Sequence, residues 1–430
     1  MVKKTNKSKK SIIDYNFTRQ EKQAFSNIEN ELSYIVANRK LSRKTIEKYP
    51  NDIDAKIYAL YETIQGFLFD IKQCGFKAQS YDSDYKLPCR NGNNGFQLHS
   101  RRYIGNKYKL IDWIFSIIKS ECEGRSFTDI FAGTGVVGAQ ASKEFGNVIM
   151  NDFLYSNYAI YQGFFGDRAF NKGKLEDIVG QYNNLVQKDL PSNYFSKYFG
   201  NKYFSLQSAK IIGYIRQDIE NNKDNLSEKE YYILLASLIY SIDKIANTVG
   251  HFDAYFKKES VSDKFLMKLI EPIKESSITI FREDANKLIK LIKTDILYID
   301  PPYNSRQYSR FYHLYETLIK WDMPKLYGVA LKPFPENMSV YCKTGAKFKF
   351  DELVKNANAN YIVVSYNNTY DSKSGSSRNK ISLQEIERTL KAKGGTKVFE
   401  KEYRHFNAGN TDFKNHKEFL FVTKVKNGQN

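Results

Sequence analysis

Cysteine is scarce in this chain. Its four cysteines, Cys74, Cys89, Cys122 and Cys342, lie far apart in 430 residues. They form no C-x-x-C pair, which excludes a zinc ribbon or a disulfide framework, and a reducing cytoplasm fits such usage. Long apolar runs are missing as well. The longest, residues 231–242, is too short to span a bilayer and reads as a buried helix. The lysines of residues 1–10 are not followed by an apolar core of signal-peptide length, so no membrane association is expected. Acidic residues are the third deficit. With 48 Asp and Glu against 66 Lys and Arg, the chain carries +18 and a pI near 9.3, which favours a polyanionic partner. No internal repeat is visible.

What is abundant is apolar and aromatic mass: 41% hydrophobic residues, with 32 Tyr and 30 Phe, enough for a sizeable core. The stretch with the clearest chemistry is the apolar strand of residues 295–300, which ends in Asp300 and runs into Pro301, Pro302 and Tyr303. Prolines lack the N–H that a ladder needs, so the strand must stop there. At the carboxyl end of a strand in an open α/β sheet, side chains face the ligand crevice. A carboxylate, ring-fixed carbonyls and an aromatic face suit a flat base bearing an exocyclic amine.

Residues 1–98 read as an extension, a basic tail followed by a helical region from about Thr18 to Gly75. The polar run 82–99 reads as a linker. A basic, glycine-containing loop, Arg101-Arg-Tyr-Ile-Gly-Asn-Lys-Tyr108, then enters a helix, placing Lys107 where it can meet a carboxylate. Residues 126–131 predict a buried strand, followed by the turn Ala132-Gly-Thr-Gly135 and a helix from Val136; 147–150 predict a second strand with Asp152 beyond its end. Strand, glycine turn, helix, strand and terminal acid make a nucleoside-binding βαβ unit, in which the acid can bind ribose hydroxyls. The turn is not G-x-G-x-x-G, which favours a single nucleoside over a dinucleotide.

Residues 153–272 are expected to be mainly helical, with a capping box at Ser227–Glu230 before the apolar helix. That helix empties into residues 246–258, where Asn247, His251, Asp253 and Tyr255 offer the side chains that base readout and base extrusion need. Residues 278–281 predict a third strand, with Asp284 after it placed to accept from the amino group of a bound adenine. Residues 308–321 predict a helix, 322–348 an irregular insertion with Lys343 and Lys347, 361–366 a buried strand, and 367–380 a polar loop carrying Lys373. A second capping box at Ser382–Glu385 starts a helix ending at Gly394-Gly395. Residues 396–403 and 417–425 alternate like two antiparallel strands.

Together these pieces resemble the Dam-like (alpha-group) DNA adenine-N6 methyltransferases. Residues 103–108 look like the family's first cofactor motif and Phe131-Ala-Gly-Thr-Gly135 like its glycine loop. Asp152 looks like its ribose acid, and Asp300-Pro-Pro-Tyr303 like its catalytic motif. The resemblance runs from about Arg101 to Lys424. It implies an α/β class I S-adenosylmethionine-dependent methyltransferase fold, a seven-stranded, mostly parallel sheet with a reversed last hairpin. It also implies a helical target-recognition insert over 166–272, between catalytic segments 99–165 and 273–430; the helical extension 1–98 and the insertion 322–348 depart from the family pattern. S-adenosylmethionine would be the methyl donor, with no metal. The cofactor pocket would be bounded by Tyr103, Lys107, Phe131, Gly133, Gly135, Asp152, Asp284 and Asp300. Double-stranded DNA would be the partner, contacted by Asn247, His251, Asp253, Tyr255, Lys343 and Lys373. A cognate restriction endonuclease acting on the same site would accompany a cytoplasmic modification enzyme.

An adenine amine is a poor nucleophile because its lone pair is delocalised into the ring. Hydrogen bonds from it to the Asp300 carboxylate and the Pro301 carbonyl would expose that lone pair, and positioning supplies most of the rest. The base must be flipped out of the duplex and held on Tyr303, through its ring face, so a Phe there is expected to be mild. Two other readings compete: methylation of cytosine N4 or of a guanine in RNA, and a DNA-binding regulator with a dead methylase core. An aspartate rather than a serine before the prolines, and an intact Lys107 and glycine loop, weigh against them.

Overall fold

The computed structural model describes residues 95–257, 261, 264–273, 277–369, 378–402 and 416–426. The chain divides into two units, Met1–Gly92 and Asn93–Asn430, and the sheet with all its helices belongs to the second. The expected helices of the extension, and Lys373, lie outside the described residues.

The elements alternate as an α/β chain should. Helix α1 (Ile111–Glu121) precedes β1 (Ser126–Asp129), α2 (Val136–Ala141), β2 (Asn147–Asn151) and α3 (Tyr155–Phe165). Four helices follow: α4 (Lys172–Asn183), α5 (Tyr194–Phe199), α6 (Leu206–Asn221) and α7 (Glu228–Ile245). Next come β3 (Ile278–Phe281), α8 (Ala285–Leu288), β4 (Thr294–Ile299), α9 (Tyr308–Phe311), α10 (His313–Lys320) and α11 (Ala346–Asn356). The chain closes with β5 (Ala359–Asn367), α12 (Leu383–Lys393), β6 (Gly394–Glu402) and β7 (Lys417–Val425).

One seven-stranded sheet results, in the order β3-β2-β1-β4-β5-β7-β6. β1 to β5 pair in parallel, and β7 enters antiparallel between β5 and β6. Covered on both faces, its central strands read as continuous apolar runs, as parallel strands must. In β4, Ile296 and Tyr298 join the core on one face, with Ile114, Phe127 and Leu420. Leu297 and Ile299 join the core on the other, with Phe350, Val364 and Leu390. The strand order reverses between β1 and β4 at the centre of the sheet, so the carboxyl ends of β1, β2 and β4 open on one crevice.

Both capping boxes form: Ser227 with Glu230 starts α7, and Ser382 with Glu385 starts α12. Within residues 153–272, expected to be mainly helical, the last helix ends at Ile245 and the loop expected after it follows. Further on, residues 264–270 run beside α7, where Ser241 Oγ and Ser237 Oγ accept the N–H groups of Lys268 (3.1 Å) and Ile270 (2.9 Å). Side-chain acceptors on a neighbouring helix thus replace the i−4 carbonyls a helix would have supplied. The expected helix 308–321 is broken at Tyr312, and the irregular insertion is shorter than expected, since α11 begins at Ala346.

Candidate active site

The turn after β1 is shaped by two glycines at positive φ, Gly133 (55°) and Gly135 (82°), values that side chains rarely adopt. Ala132 N–H donates to the Asn151 carbonyl (2.8 Å), tying the turn to β2. Asp152 completes the tie: one carboxylate oxygen accepts from Gly133 N–H and the other from Leu154 N–H, each at 2.9 Å. Burial raises the Asp152 carboxyl above its ordinary value, against the pull of these donors and of Asn157. A Cβ on Gly133 would meet nothing closer than 3.5 Å, so that backbone lies open to the crevice. Gly135 corrects the sequence expectation. Its Cβ position is 3.0 Å from both Met150 Cε and Tyr161 Cε1, and it does not line the crevice. Gly135 lets the turn pack on β2 and α3.

Across the crevice, β4 delivers Asp300, and the two prolines fix the path of the chain beyond it. Lys107 Nζ lies 3.2 Å from Asp300 Oδ1 and 3.8 Å from Glu418 Oε2, and its side chain is only 5% exposed. The Tyr303 hydroxyl sits between them, accepting from Lys107 and donating to Asp300 Oδ1. The ammonium also lies over the Tyr303 ring, 4.8 Å from its centroid, and the ring packs edge-on against Tyr366. Tyr303 therefore uses its hydroxyl as well as its ring, which sequence reasoning did not foresee. Burial raises the Asp300 carboxyl, opposed by Lys107 and the Tyr303 hydroxyl.

These walls enclose a cleft of about 1000 Å³, counting the space open to solvent. Tyr103, Lys107, Phe131, Gly133, Asp152, Asp284, Asp300, Pro301, Pro302 and Tyr303 all line it. Asp284 caps α8, its Oδ1 accepting from the N–H groups of Asn286 (2.9 Å) and Lys287 (3.1 Å). Two acids in the neighbourhood were not singled out from the sequence. Asp129, at the end of β1, lines the cleft at 1% exposure. Neither of its carboxylate oxygens has a full hydrogen bond among the described residues. Burial, then Asp300 and Asp152 nearby, push its carboxyl well up. Glu418 on β7 is the second. The signal for Asp129 was an acid at the end of a buried strand directly before a glycine turn; Glu418 carried no local signal.

Behind the cleft, Arg101 is buried and donates to Asn157 Oδ1 (2.8 Å), while Asn157 donates to the Tyr103 hydroxyl (3.2 Å). Arg102 leads away to α7: its N–H donates to Asp243 Oδ2 (3.1 Å) and its guanidinium to the Asp243 and Thr248 carbonyls. Tyr315 on α10 donates to the other Asp243 oxygen (2.7 Å).

The loop after α7 packs on the chain beyond the prolines. His251 stacks on Phe311 (centroids 4.5 Å apart), and burial lowers its pKa to about 4, so it is neutral. Asp253 pairs with Lys332, and Tyr255 meets Tyr203 edge-on. Asn247 departs from its expected outward role. It is buried, and both amide hydrogens go inward, to the carbonyls of Lys202 (2.8 Å) and Phe256 (2.9 Å). An amide so used shapes the loop. Lys343 is half-buried, and Lys347 pairs with Asp351 one turn along α11.

Among the described residues no cluster of His, Cys, Asp or Glu suits a metal ion, and no helix is long and apolar enough to cross a membrane. Residues 103–375 match the family described as D12 class N6 adenine-specific DNA methyltransferase. The chain is 32% identical over 330 residues to the type II methyltransferase M.NlaIII of Neisseria lactamica, covering 73% of this chain and 95% of that protein. It is 33% identical over 338 residues to M.CviAII of Paramecium bursaria Chlorella virus 1, covering 75% of this chain and 98% of that protein. It is also 32% identical over 329 residues to M.FokI of Planomicrobium okeanokoites. That match covers 71% of this chain but 49% of that protein, so the chain spans about half of its length.

Proposed function

Because the chain belongs to the D12 class of N6 adenine-specific DNA methyltransferases, we propose that it methylates adenine N6 at a specific site in double-stranded DNA. The donor is S-adenosylmethionine, and the enzyme is the cytoplasmic modification half of a restriction–modification pair whose endonuclease acts on the same site. The observation that carries this reading is the meeting of Asp300, Pro301 and Lys107 with the glycine turn in one cleft.

The residues present fit the donor. Tyr103, Phe131, Gly133, Asp152 and Asp284 would hold it, and the buried Asp129 is a further polar group lining that space. When bound, the cofactor supplies an electrophilic methyl group on a sulfonium. The protein's part lies with the amine. The Asp300 carboxylate and the Pro301 carbonyl accept the two amino hydrogens, turning the nitrogen lone pair out of the ring system. Tyr303 closes against the base and orients Asp300 through its hydroxyl. The proton lost from the methylated nitrogen passes to Asp300 or to water. Extrusion of the base is required, since stacked adenine offers no in-line approach. Helices α4–α7 and the loop with His251, Asp253 and Tyr255 form the target-recognition part over 166–272, with Lys343 and Lys373 on phosphates.

The decisive experiment is methylome sequencing of DNA from cells expressing the protein, with mass spectrometry of its nucleosides. N6-methyladenine at one recurring motif is expected. N4-methylcytosine, or unmodified DNA alongside methylated RNA, would overturn the reading.

A further inference from the structure

We propose that Glu418 is a positioning residue for the transfer. By sharing the Lys107 ammonium, it leaves Asp300 enough negative charge to accept hydrogen bonds from the target amine. The inference rests on the function proposed above.

Glu418 sits in β7, opposite Asn367 of β5 and Lys401 of β6, on the face that carries Leu420 and Val422 into the core. It is 3% exposed, and its Oε2 has no hydrogen-bond partner among the described residues. Packing alone would favour an apolar residue there, as at the next two positions on that face, because burying a carboxylate is costly without a partner. Its nearest cation is Lys107, at 3.8 Å, the same ammonium that stands 3.2 Å from Asp300. One buried cation thus faces two buried carboxylates.

The charge count decides what Asp300 can do. With Lys107 alone, Asp300 would form a neutral pair, its Oδ1 already engaged by the ammonium and the Tyr303 hydroxyl. With Glu418 ionised as well, the cluster carries one net negative charge, and that charge lies at the mouth where the amine arrives. The groups facing Glu418 are Lys107 from the loop before α1, Tyr298 and Asp300 from β4, and Tyr303 beyond it. Lys401, opposite on β6, sends its ammonium over Trp113 instead. Burial raises Glu418 to about 7, with Asp300 adding to the rise and Lys107 opposing it. The two acids therefore titrate as a coupled pair.

Glu418→Gln keeps the shape and removes the charge, and Glu418→Asp keeps the charge. The acid limb of the wild-type kcat profile is expected near neutrality. In Glu418→Gln it moves down, because the carboxyl that burial and Asp300 raise to about 7 is gone. The plateau falls roughly tenfold, a fraction of the loss when a group in direct contact with the developing charge is removed. KM for DNA and cofactor stay within about twofold, and Glu418→Asp moves the limb back. A second readout needs no activity. A buried carboxyl whose folded pKa is raised from 4.5 to about 7 stabilises the fold below its unfolded pKa and loses that contribution as pH rises through its folded pKa. The wild type should therefore lose thermal stability relative to Glu418→Gln between about pH 5 and about pH 8. An unmoved acid limb in an active Glu418→Gln enzyme, or a stability difference flat in pH, overturns the proposal. A wild type that transfers no methyl group overturns the proposed function instead, and the stability difference still decides whether Glu418 ionises beside Lys107.

Discussion

Replacing Asp152 by alanine should injure the protein before any cofactor is added. The carboxylate accepts two backbone N–H groups, from Gly133 and Leu154, each at 2.9 Å. Hydrogen bonds to a charged group contribute roughly 1.5–3 kcal/mol each, and the orphaned donors are partly buried. Burial raises the Asp152 carboxyl, which subtracts from that gain. The net loss is about 2–4 kcal/mol. At ~2 cal/mol/K of unfolding entropy per residue, a unit of this size would lose about 4 °C of Tm for ~3 kcal/mol. The assay is thermal and denaturant unfolding of the cofactor-free protein, followed by steady-state kinetics. KM for the cofactor should rise more than KM for DNA, because the glycine turn loses its anchor and the ribose its acceptor. An alanine variant as stable as the wild type without cofactor would refute the view that Asp152 builds the turn. A change in the DNA term alone would remove Asp152 from the cofactor pocket.

Asp300→Asn should fold but lose 10²–10³ in kcat, roughly 2.7–4 kcal/mol, as measured in single-turnover transfer of labelled methyl groups; a rate within about tenfold of wild type would contradict the amine-binding role. Tyr303→Phe keeps the ring and deletes the hydroxyl between Lys107 and Asp300, so kcat should fall roughly tenfold with base capture little changed. A wild-type rate would return Tyr303 to the ring-only role. His251→Ala should cost roughly 1–3 kcal/mol of discrimination between cognate and near-cognate sites, scored by competition methylation. Since His251 has a pKa of about 4, the wild-type preference should be constant from about pH 6 to about pH 8.

Local signals carried the reading of the sheet a long way. β3 and β7 fall on the expected residues and the other strands within one or two, because continuous apolar runs bounded by turn residues leave few alternatives. The motifs at Lys107, Asp152 and Asp300 were visible because each couples a chain-direction change to a charged residue. What escaped was set by distance along the chain. Nothing around Glu418 announces a lysine 311 positions earlier. Asn247, in a polar loop, showed the chemistry of a base contact, yet the fold spends its amide on two carbonyls. The extended path of residues 264–273 was hidden because its hydrogen-bond acceptors are serines on another helix. Tyr303 was read by its ring because the donor to its hydroxyl, Lys107, lies 196 positions earlier.

The joint at Asp243 has a thermodynamic consequence. This single side chain holds the Arg102 backbone, one residue from the crevice, and the Tyr315 hydroxyl, while the carbonyl of Thr248 in the loop after α7 meets the Arg102 guanidinium. Two surfaces that would receive different ligands therefore share one set of hydrogen bonds. Whatever free energy one ligand spends or gains in settling that joint is transmitted to the other, and equilibrium linkage makes the exchange reciprocal. A methyl donor that tightens DNA binding by some factor must itself be bound more tightly by that same factor when DNA is present. Loosening Asp243 would bring the two affinities toward independence, and each ligand would then bind as though the other site were absent.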